Sequence, residues 1–128
     1  MRSLTASLHD YIQANGSPYA PVNLDFLSMA TDSIALRVEP GTATESRDLS
    51  GARFGDFRYS IYCKSDDPAK ASGQLYRYMA VLDLEEFRID DGLTVISEPE
   101  TEPHFISQNA DKTVVYSAAF HIEYREEE

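Results

Sequence analysis

Alternating apolar and polar residues mark two strands in the first half of the chain. Residues 33–39 (SIALRVE) and 53–65 (RFGDFRYSIYCKS) both repeat with the period of two that is typical of a β-strand. The apolar face of the second strand comprises Phe57, Tyr59, Ile61 and Cys63. We expect the two segments to pair as one long antiparallel hairpin, joined by a loop over residues 40–52.

That loop is longer than a hairpin requires. Hairpin loops usually have about 2–5 residues, whereas residues 40–52 form a longer, mostly polar, small or charged segment. Its GARFG motif lacks the glycine spacing and the following helix of a phosphate-binding loop. The segment is therefore either flexible or has a binding function. The sequence gives no indication that this function is phosphate binding.

A period of three to four residues predicts a helix over residues 3–14. Leu4, Leu8, Tyr11 and Ile12 fall on one stripe of that helix. Asn15-Gly16 follows as a left-handed stop signal.

A second helix is predicted to begin at Pro68, with Asp67 as its N-cap. Its apolar positions recur at three and four residues through Ala71, Leu75, Tyr78, Met79 and Leu82. Gly73 lowers helix propensity, and we expect it to permit close packing of this helix against the sheet.

The remaining segments predict a sheet with helices on one side. Residues 93–97, 104–108 and 113–124 are expected strands, with NADK as the turn before the last one and Asp90-Asp91-Gly92 as another turn. Residues 24–29 are either a strand or a packed segment, and residues 125–128 are an acidic tail. The order predicts a single α+β domain over 1–128: one mostly antiparallel β-sheet with the N-terminal and central helices packed on one face.

Composition narrows the class of protein. The 128 residues have a formal charge of −11, from 22 acidic and 11 basic side chains. Such a surface repels phosphate groups, so sequence-independent DNA binding is not expected. Cys63 is the single cysteine, which excludes an intrachain disulfide. There is neither a signal-peptide pattern nor a long apolar span, so we expect a soluble protein made in the cytoplasm.

The sequence supplies no catalytic motif. His9, His104 and His121 are far apart in the chain, and no spacing requires them to meet in a metal site. Cys63 shares its face with the core aromatics, so a buried thiol is expected rather than a nucleophile. Asp66-Asp67 stand where a helix cap belongs. We therefore expect no enzyme, and we assign no catalytic, cofactor-binding or metal-binding residue.

Arginine and tyrosine are interleaved around the second strand and the second helix. Arg58 and Tyr62 lie on the predicted strand, and Tyr76, Arg77 and Tyr78 lie on the predicted helix. Such residues are enriched in protein interfaces. The tyrosines are equally compatible with a core position and a hydrated hydroxyl, so both interpretations stay open.

The order of these signals resembles the tail terminator (tail completion) proteins of long-tailed bacteriophages, whose relatives are often labelled minor capsid proteins. The resemblance rests on the amphipathic N-terminal helix, on LDFLSMATDSIALRVEPG, on RDLSG in the polar loop, and on FGDFRYSIYCKSDDPAKA running into a helix. It covers nearly the whole chain through patterns of strand, turn and helix.

The resemblance implies a subunit of a ring, typically of six copies, on the head-proximal end of the tail tube in the virion. Such rings stop tube growth and dock to the head connector or stopper protein, without cofactor or catalysis. DNA passes through the ring without specific binding. Six copies at −11 each would carry −66, and a negative channel would keep DNA from adhering.

The residues expected at subunit or partner contacts are inferred from charge and residue type rather than carried over from the family. The mixed charges of the loop favour pairs that set the register between neighbours. The full set is Glu45, Arg47, Asp48, Arg53, Arg58, Tyr62 and Arg77.

Two other functions remain compatible with the sequence. A head–tail connector or stopper subunit shares the ring and the acidic balance. A small ligand-binding domain or enzyme could instead use a tyrosine-rich sheet face as a pocket.

Overall fold

A computed structural model describes residues 4–38, 44–47, 49, 51, 53–83, 85–89 and 93–126. Within these ranges the chain forms two helices and eight strands. In chain order they are α1 (Leu4–Ala14), β1 (Val22–Leu24), β2 (Ser33–Val38), β3 (Thr44–Arg47), β4 (Arg53–Ser65), α2 (Pro68–Val81), β5 (Glu85–Ile89), β6 (Leu93–Pro99), β7 (His104–Gln108) and β8 (Val114–Glu126).

The centre of the fold is one long antiparallel pair, β4 with β8. Their register runs without interruption from Phe54 opposite Arg125 to Ser65 opposite Val114. Each strand has 13 residues, which corresponds to roughly 40 Å at about 3.3 Å per residue. This pair therefore spans the molecule and gives it two distinct ends.

Shorter strands extend the sheet on both sides of this pair. β2 and β3 lie end to end along β4, and β6 and β7 lie end to end along β8. The main order is β1-β2-β4-β8-β6-β5. β1 pairs with β2 in parallel, and the other pairings are antiparallel. The predicted antiparallel pairing of these two segments is confirmed for Ser33–Val38, which pair with Tyr59–Lys64.

The joint between β6 and β7 is held by β8. The backbone N–H groups of Glu100 and Thr101 both donate to the carbonyl oxygen of Ala119, at 2.9 and 3.2 Å. The Ala119 N–H donates in turn to Thr101 Oγ1 at 2.8 Å. Residues 98–103 (EPETEP) thus carry the chain from β6 to β7 through a hydrogen-bonded kink along β8.

Both helices cover the same face of the sheet. Leu8 and Ile12 of α1 and Leu75 and Tyr78 of α2 join one buried cluster with the alternate residues of β4. Those strand residues are Phe57, Tyr59, Ile61 and Cys63, as their alternation predicted. The predicted fold class, an α+β domain with helices on one face of a mostly antiparallel sheet, is confirmed.

The helix boundaries follow the capping signals. α1 ends before Gly16, whose φ of +86° is a left-handed conformation that glycine adopts without steric cost. α2 begins after Asp67, whose side chain accepts a hydrogen bond from the Ala69 N–H at 3.0 Å. Pro68 occupies the first turn, where the missing N–H is not needed.

Two expectations about polar segments are wrong. Residues 40–52 are not a simple loop, because β3 pairs with β4 from Thr44 opposite Asp56 to Arg47 opposite Arg53. Residues 125–128 are not wholly a tail, because β8 continues to Glu126, opposite Leu93. In both segments the backbone register provides hydrogen bonds that a polar sequence did not suggest.

Gly73 also differs from its expected role. It is exposed, and a Cβ built on it meets no heavy atom within 4 Å. Gly73 therefore lies on the outer surface of α2, away from the sheet.

The sequence left the structure of one further segment open and gave no prediction of another. The structure ends β1 at Leu24 and leaves Phe26 and Met29 exposed, so residues 24–29 are mainly a loop. β5 was not predicted, because EEFRI follows directly on helix-forming sequence. The expected turn at Asp90-Asp91-Gly92 lies outside the described residues.

Candidate subunit interface

Two of the expected contact residues of the 40–52 segment lie on β3, an edge strand of the sheet that pairs with the start of β4. We define the hairpin arm as β3 with its pairing partners Arg53–Asp56 of β4. Glu45 pairs with Gly55, and Arg47 pairs with Arg53. Asp48 lies outside the described residues. The charged residues Glu45, Arg47 and Arg53 therefore belong to paired strands, and the pairing fixes their register.

Strand alternation separates the remaining expected contacts. Arg58 and Tyr62 lie on the sheet face opposite the helices, which we call the helix-free face, because they alternate with the core residues of β4. Arg77 is exposed on α2, on the other side of the sheet. Tyr78, next to Arg77, is fully buried in the core. The interleaved arginine and tyrosine residues therefore divide between two surfaces and the core.

Ionisable side chains lie close together across strands on the helix-free face. Arg58 forms an ion pair with Glu100, with Nε and Oε2 2.5 Å apart. His121 lies between two carboxylates: Nε2 is 3.4 Å from Asp56 Oδ2, and Nδ1 is 3.7 Å from Glu98 Oε1. These side chains come from β4, β6 and β8 and the joint that follows β6, so they link the strands over which they lie.

The other two histidines lie elsewhere. The ring of His9 on α1 is within hydrogen-bonding distance of the Val22 carbonyl oxygen, and His104 Nδ1 is 3.0 Å from the carbonyl oxygen of Glu102. Across the described residues, no group of three His, Cys, Asp or Glu side chains is arranged to hold a metal ion.

The loop between β1 and β2 presents two large apolar side chains to solvent. Phe26 is 80% exposed and Met29 is 97% exposed. The sequence predicted either a strand or a packed segment over residues 24–29 and gave no signal for two exposed apolar side chains. Contiguous exposed apolar patches mark binding sites, whereas single exposed apolar residues are common; these two lie three residues apart on one loop.

Hydrogen bonds hold this loop in place. The Asp25 N–H donates to the Leu36 carbonyl oxygen at 2.9 Å, and the Ser28 N–H donates to Ser33 Oγ at 2.9 Å. Lys64 Nζ at the end of β4 donates to the Ser28 carbonyl oxygen at 3.3 Å. The apolar pair is thus displayed on an anchored loop.

The opposite end of the β4–β8 pair also exposes apolar side chains. Leu49 is fully exposed beyond the last residue of β3, and Phe54 on the hairpin arm is partly exposed. Ile96 of β6 is 40% exposed. Exposed apolar groups therefore occur at both ends of the long strands.

An ion pair joins the start of β2 to the start of α2. Lys70 Nζ lies 2.6 Å from Asp32 Oδ2, and Ser65 Oγ donates to Asp32 Oδ1 at 3.0 Å. The hydrogen bond from Lys70 lowers the pKa of Asp32, and the same bond raises the pKa of Lys70. Lys70 also lies 5.0 Å above the ring of Tyr19, in a cation–π contact.

Cys63 lies directly beneath this region. It is fully buried, and burial raises the pKa of its thiol to about 12, although a hydrogen bond with Tyr19 acts in the opposite direction. A thiol that stays protonated at neutral pH is a poor nucleophile. The prediction of a core cysteine is confirmed.

Comparison with known proteins finds no family model and no curated protein that matches the chain. In the described ranges, no helix is long and apolar enough to cross a membrane.

Proposed function

We propose that this chain is a tail terminator of a long-tailed bacteriophage: a structural subunit that forms a ring, with six copies, at the head-proximal end of the tail tube. The ring stops tube growth and docks to the head connector. The observation that supports this function most is the presence of exposed apolar side chains at both ends of the β4–β8 pair.

A terminator subunit must bind two different partners along the tail axis. Phe26 and Met29 lie on the loop that is anchored at Leu36 and Ser33 of β2, beside the second half of β4, and Leu49 and Phe54 lie toward the opposite end of the strand pair. Phe54 and Lys64, whose side chain binds the loop, are ten residues apart on β4, which corresponds to roughly 33 Å at about 3.3 Å per residue. Large apolar groups that become buried on binding account for much of the affinity of protein interfaces. The arrangement suits a subunit held between a tube and a connector.

The charge of the chain suits the passage of DNA through such a ring. With −11 per subunit, a six-membered ring has no excess of cations with which to retain phosphates. Protein–DNA affinity depends largely on released counterions at cationic contacts. The ring is therefore expected to let DNA pass without binding it.

Binding to isolated tail tubes tests the proposal. Gold-labelled chain, imaged by electron microscopy, is expected at one end of each tube. Label along the whole tube, or no label on tubes, would contradict it.

Two surface variants refine this experiment. Phe26→Ser with Met29→Ser alters one end, and Leu49→Ser alters the other, all at exposed positions. One of these variants should lose tube binding, whereas the other should still bind tubes and fail to join heads. If both variants support tube binding and head joining, the two-ended arrangement is wrong.

A further inference from the structure

The outer surface of α2 carries an aromatic and a cationic side chain side by side. Tyr76 is 54% exposed and Arg77 is exposed next to it. Gly73 and Ala80, which flank them on the same side of the helix, are small and exposed. No ion pair joins Arg77 to another described residue. The surface is flat around one tyrosine and one arginine, the residue types most enriched among strong interface contacts.

The helix-free face carries a complementary row. The strand registers place Glu86 opposite Ile96, Ile96 opposite Glu123, and Glu123 opposite Asp56. Direct cross-strand partners point to the same side of a sheet, so Ile96 lies between Glu86 and Glu123, and Asp56 ends the row on the far side of Glu123. Glu86 and Glu123 are exposed, and Ile96 is 40% exposed.

The two surfaces cannot meet within one chain. α2 packs on one side of the sheet through Ala71, Leu75 and Tyr78, and the carboxylate row lies on the other side. A second copy of the chain can bring them together. Contact between two different surfaces of identical subunits is head-to-tail, and such contacts close into rings when the rotation permits.

We propose that the outer surface of α2 docks onto the carboxylate row of the next copy of this chain. Arg77 then pairs with Glu123, and Tyr76 packs on Ile96. The inference rests on the proposed function, because it specifies how neighbouring subunits of the ring meet. Arginine suits this role because its planar guanidinium pairs with carboxylates through two parallel hydrogen bonds.

Engineered disulfides test the contact directly. Tyr76→Cys and Ile96→Cys in the same chain should give a ladder of crosslinked oligomers under mild oxidation. The two positions are on opposite sides of the sheet, so they cannot pair within one subunit. The native Cys63 is retained, because it is buried. A matched control, Tyr76→Cys with Phe105→Cys, uses another exposed position and should give no ladder.

Charge reversal tests the same contact without crosslinking. Arg77→Glu and Glu123→Arg should each reduce self-association at least tenfold, as measured by sedimentation velocity. An equimolar mixture of the two variants should recover it, because each contact between unlike subunits again joins opposite charges. Failure of the mixture to exceed the single variants would overturn the proposal.

The crosslinking is carried out on the purified chain and on assembled particles, so subunits that associate only at a tube end are also sampled. Absence of the ladder in both overturns the proposed contact. This outcome is distinguishable from failure of the proposed function, which is judged by whether particles lacking the protein have tails of abnormal length.

Discussion

Gly16 lies directly against the ring of Tyr78: a Cβ built on Gly16 would be 2.7 Å from Tyr78 Cε1. Gln74, one turn before Tyr78, donates from Nε2 to the Gly16 carbonyl oxygen at 3.0 Å. Gly16, which follows the end of α1, is therefore both packed against α2 and hydrogen-bonded to it. This contact fixes the two helices relative to each other on the sheet.

Substitution of Gly16 by alanine should destabilise the protein by roughly 2–5 kcal/mol. The left-handed backbone disfavours any Cβ by about 1–2 kcal/mol, and overpacking against Tyr78 adds about 1–3 kcal/mol. Chemical denaturation measures the change. Gly73→Ala is the matched control, because that glycine is helical with open space around it. It should stabilise by about 0.5–1 kcal/mol, and an equal loss in both variants would contradict the packing argument.

Two buried tyrosines should respond in opposite ways to removal of the hydroxyl. Tyr59 Oη is 2.9 Å from Ser97 Oγ, whereas Tyr78 Oη has no hydrogen-bond partner among the described residues. Burial raises the pKa of both phenols. Tyr59→Phe leaves Ser97 unpaired and should cost about 1–3 kcal/mol, whereas Tyr78→Phe should be neutral or stabilising. If Tyr78→Phe lowered the free energy of unfolding as much as Tyr59→Phe, the Tyr78 hydroxyl would have to form a hydrogen bond in the folded protein, contrary to this account.

The ion pair of Asp32 with Lys70 predicts a pH dependence of stability. The pKa of Asp32 is held below its ordinary value of 3.8, so the unfolded state binds the proton more readily. The contribution is present above about pH 4 and disappears as the pH falls through the lowered value. Wild type should exceed Asp32→Asn in stability at neutral pH, and the two should converge in acid. In a Lys70→Met background this difference should shrink, and an unchanged difference would assign it to another partner.

Deletion of residues 42–50 should leave a folded chain that no longer caps tails. The buried cluster includes no member from that segment among the described residues, so the thermal midpoint should change little. Loss of β3 removes the outer strand of the hairpin arm. Leu49→Ser is the milder companion variant, since it keeps the β3–β4 pairing. A deletion variant that caps tails normally would exclude the hairpin arm from assembly.

Sequence periodicity was sufficient to predict the strands and helices that bury a continuous apolar face. The alternation of Phe57, Tyr59, Ile61 and Cys63 defined β4, and Asp67-Pro68 defined the start of α2. β3 and β5 gave no such signal. TESR is wholly polar and EEFRI continues a helix-like stretch, so backbone pairing with a longer neighbour determines both strands.

The candidate interface was only partly predictable for the same reason. Arg58 and Arg77 were both expected at contacts because arginine is common in interfaces. Strand alternation and helix packing place them on opposite sides of the sheet. The carboxylate row depends on the register of four strands, which no single segment encodes. Phe26 and Met29 lacked a periodic pattern, and their exposure depends on the hydrogen bonds that Ser28 and Asp25 make to neighbouring strands.

The length of tail tubes in particles that lack this protein is the most direct test of the proposed function. Electron microscopy should show overlong tubes of variable length, because nothing stops tube growth, and added wild-type chain should restore one length. Tails of normal length without heads would instead indicate a connector or stopper subunit. Normal tails joined to heads would contradict a role in tail completion altogether.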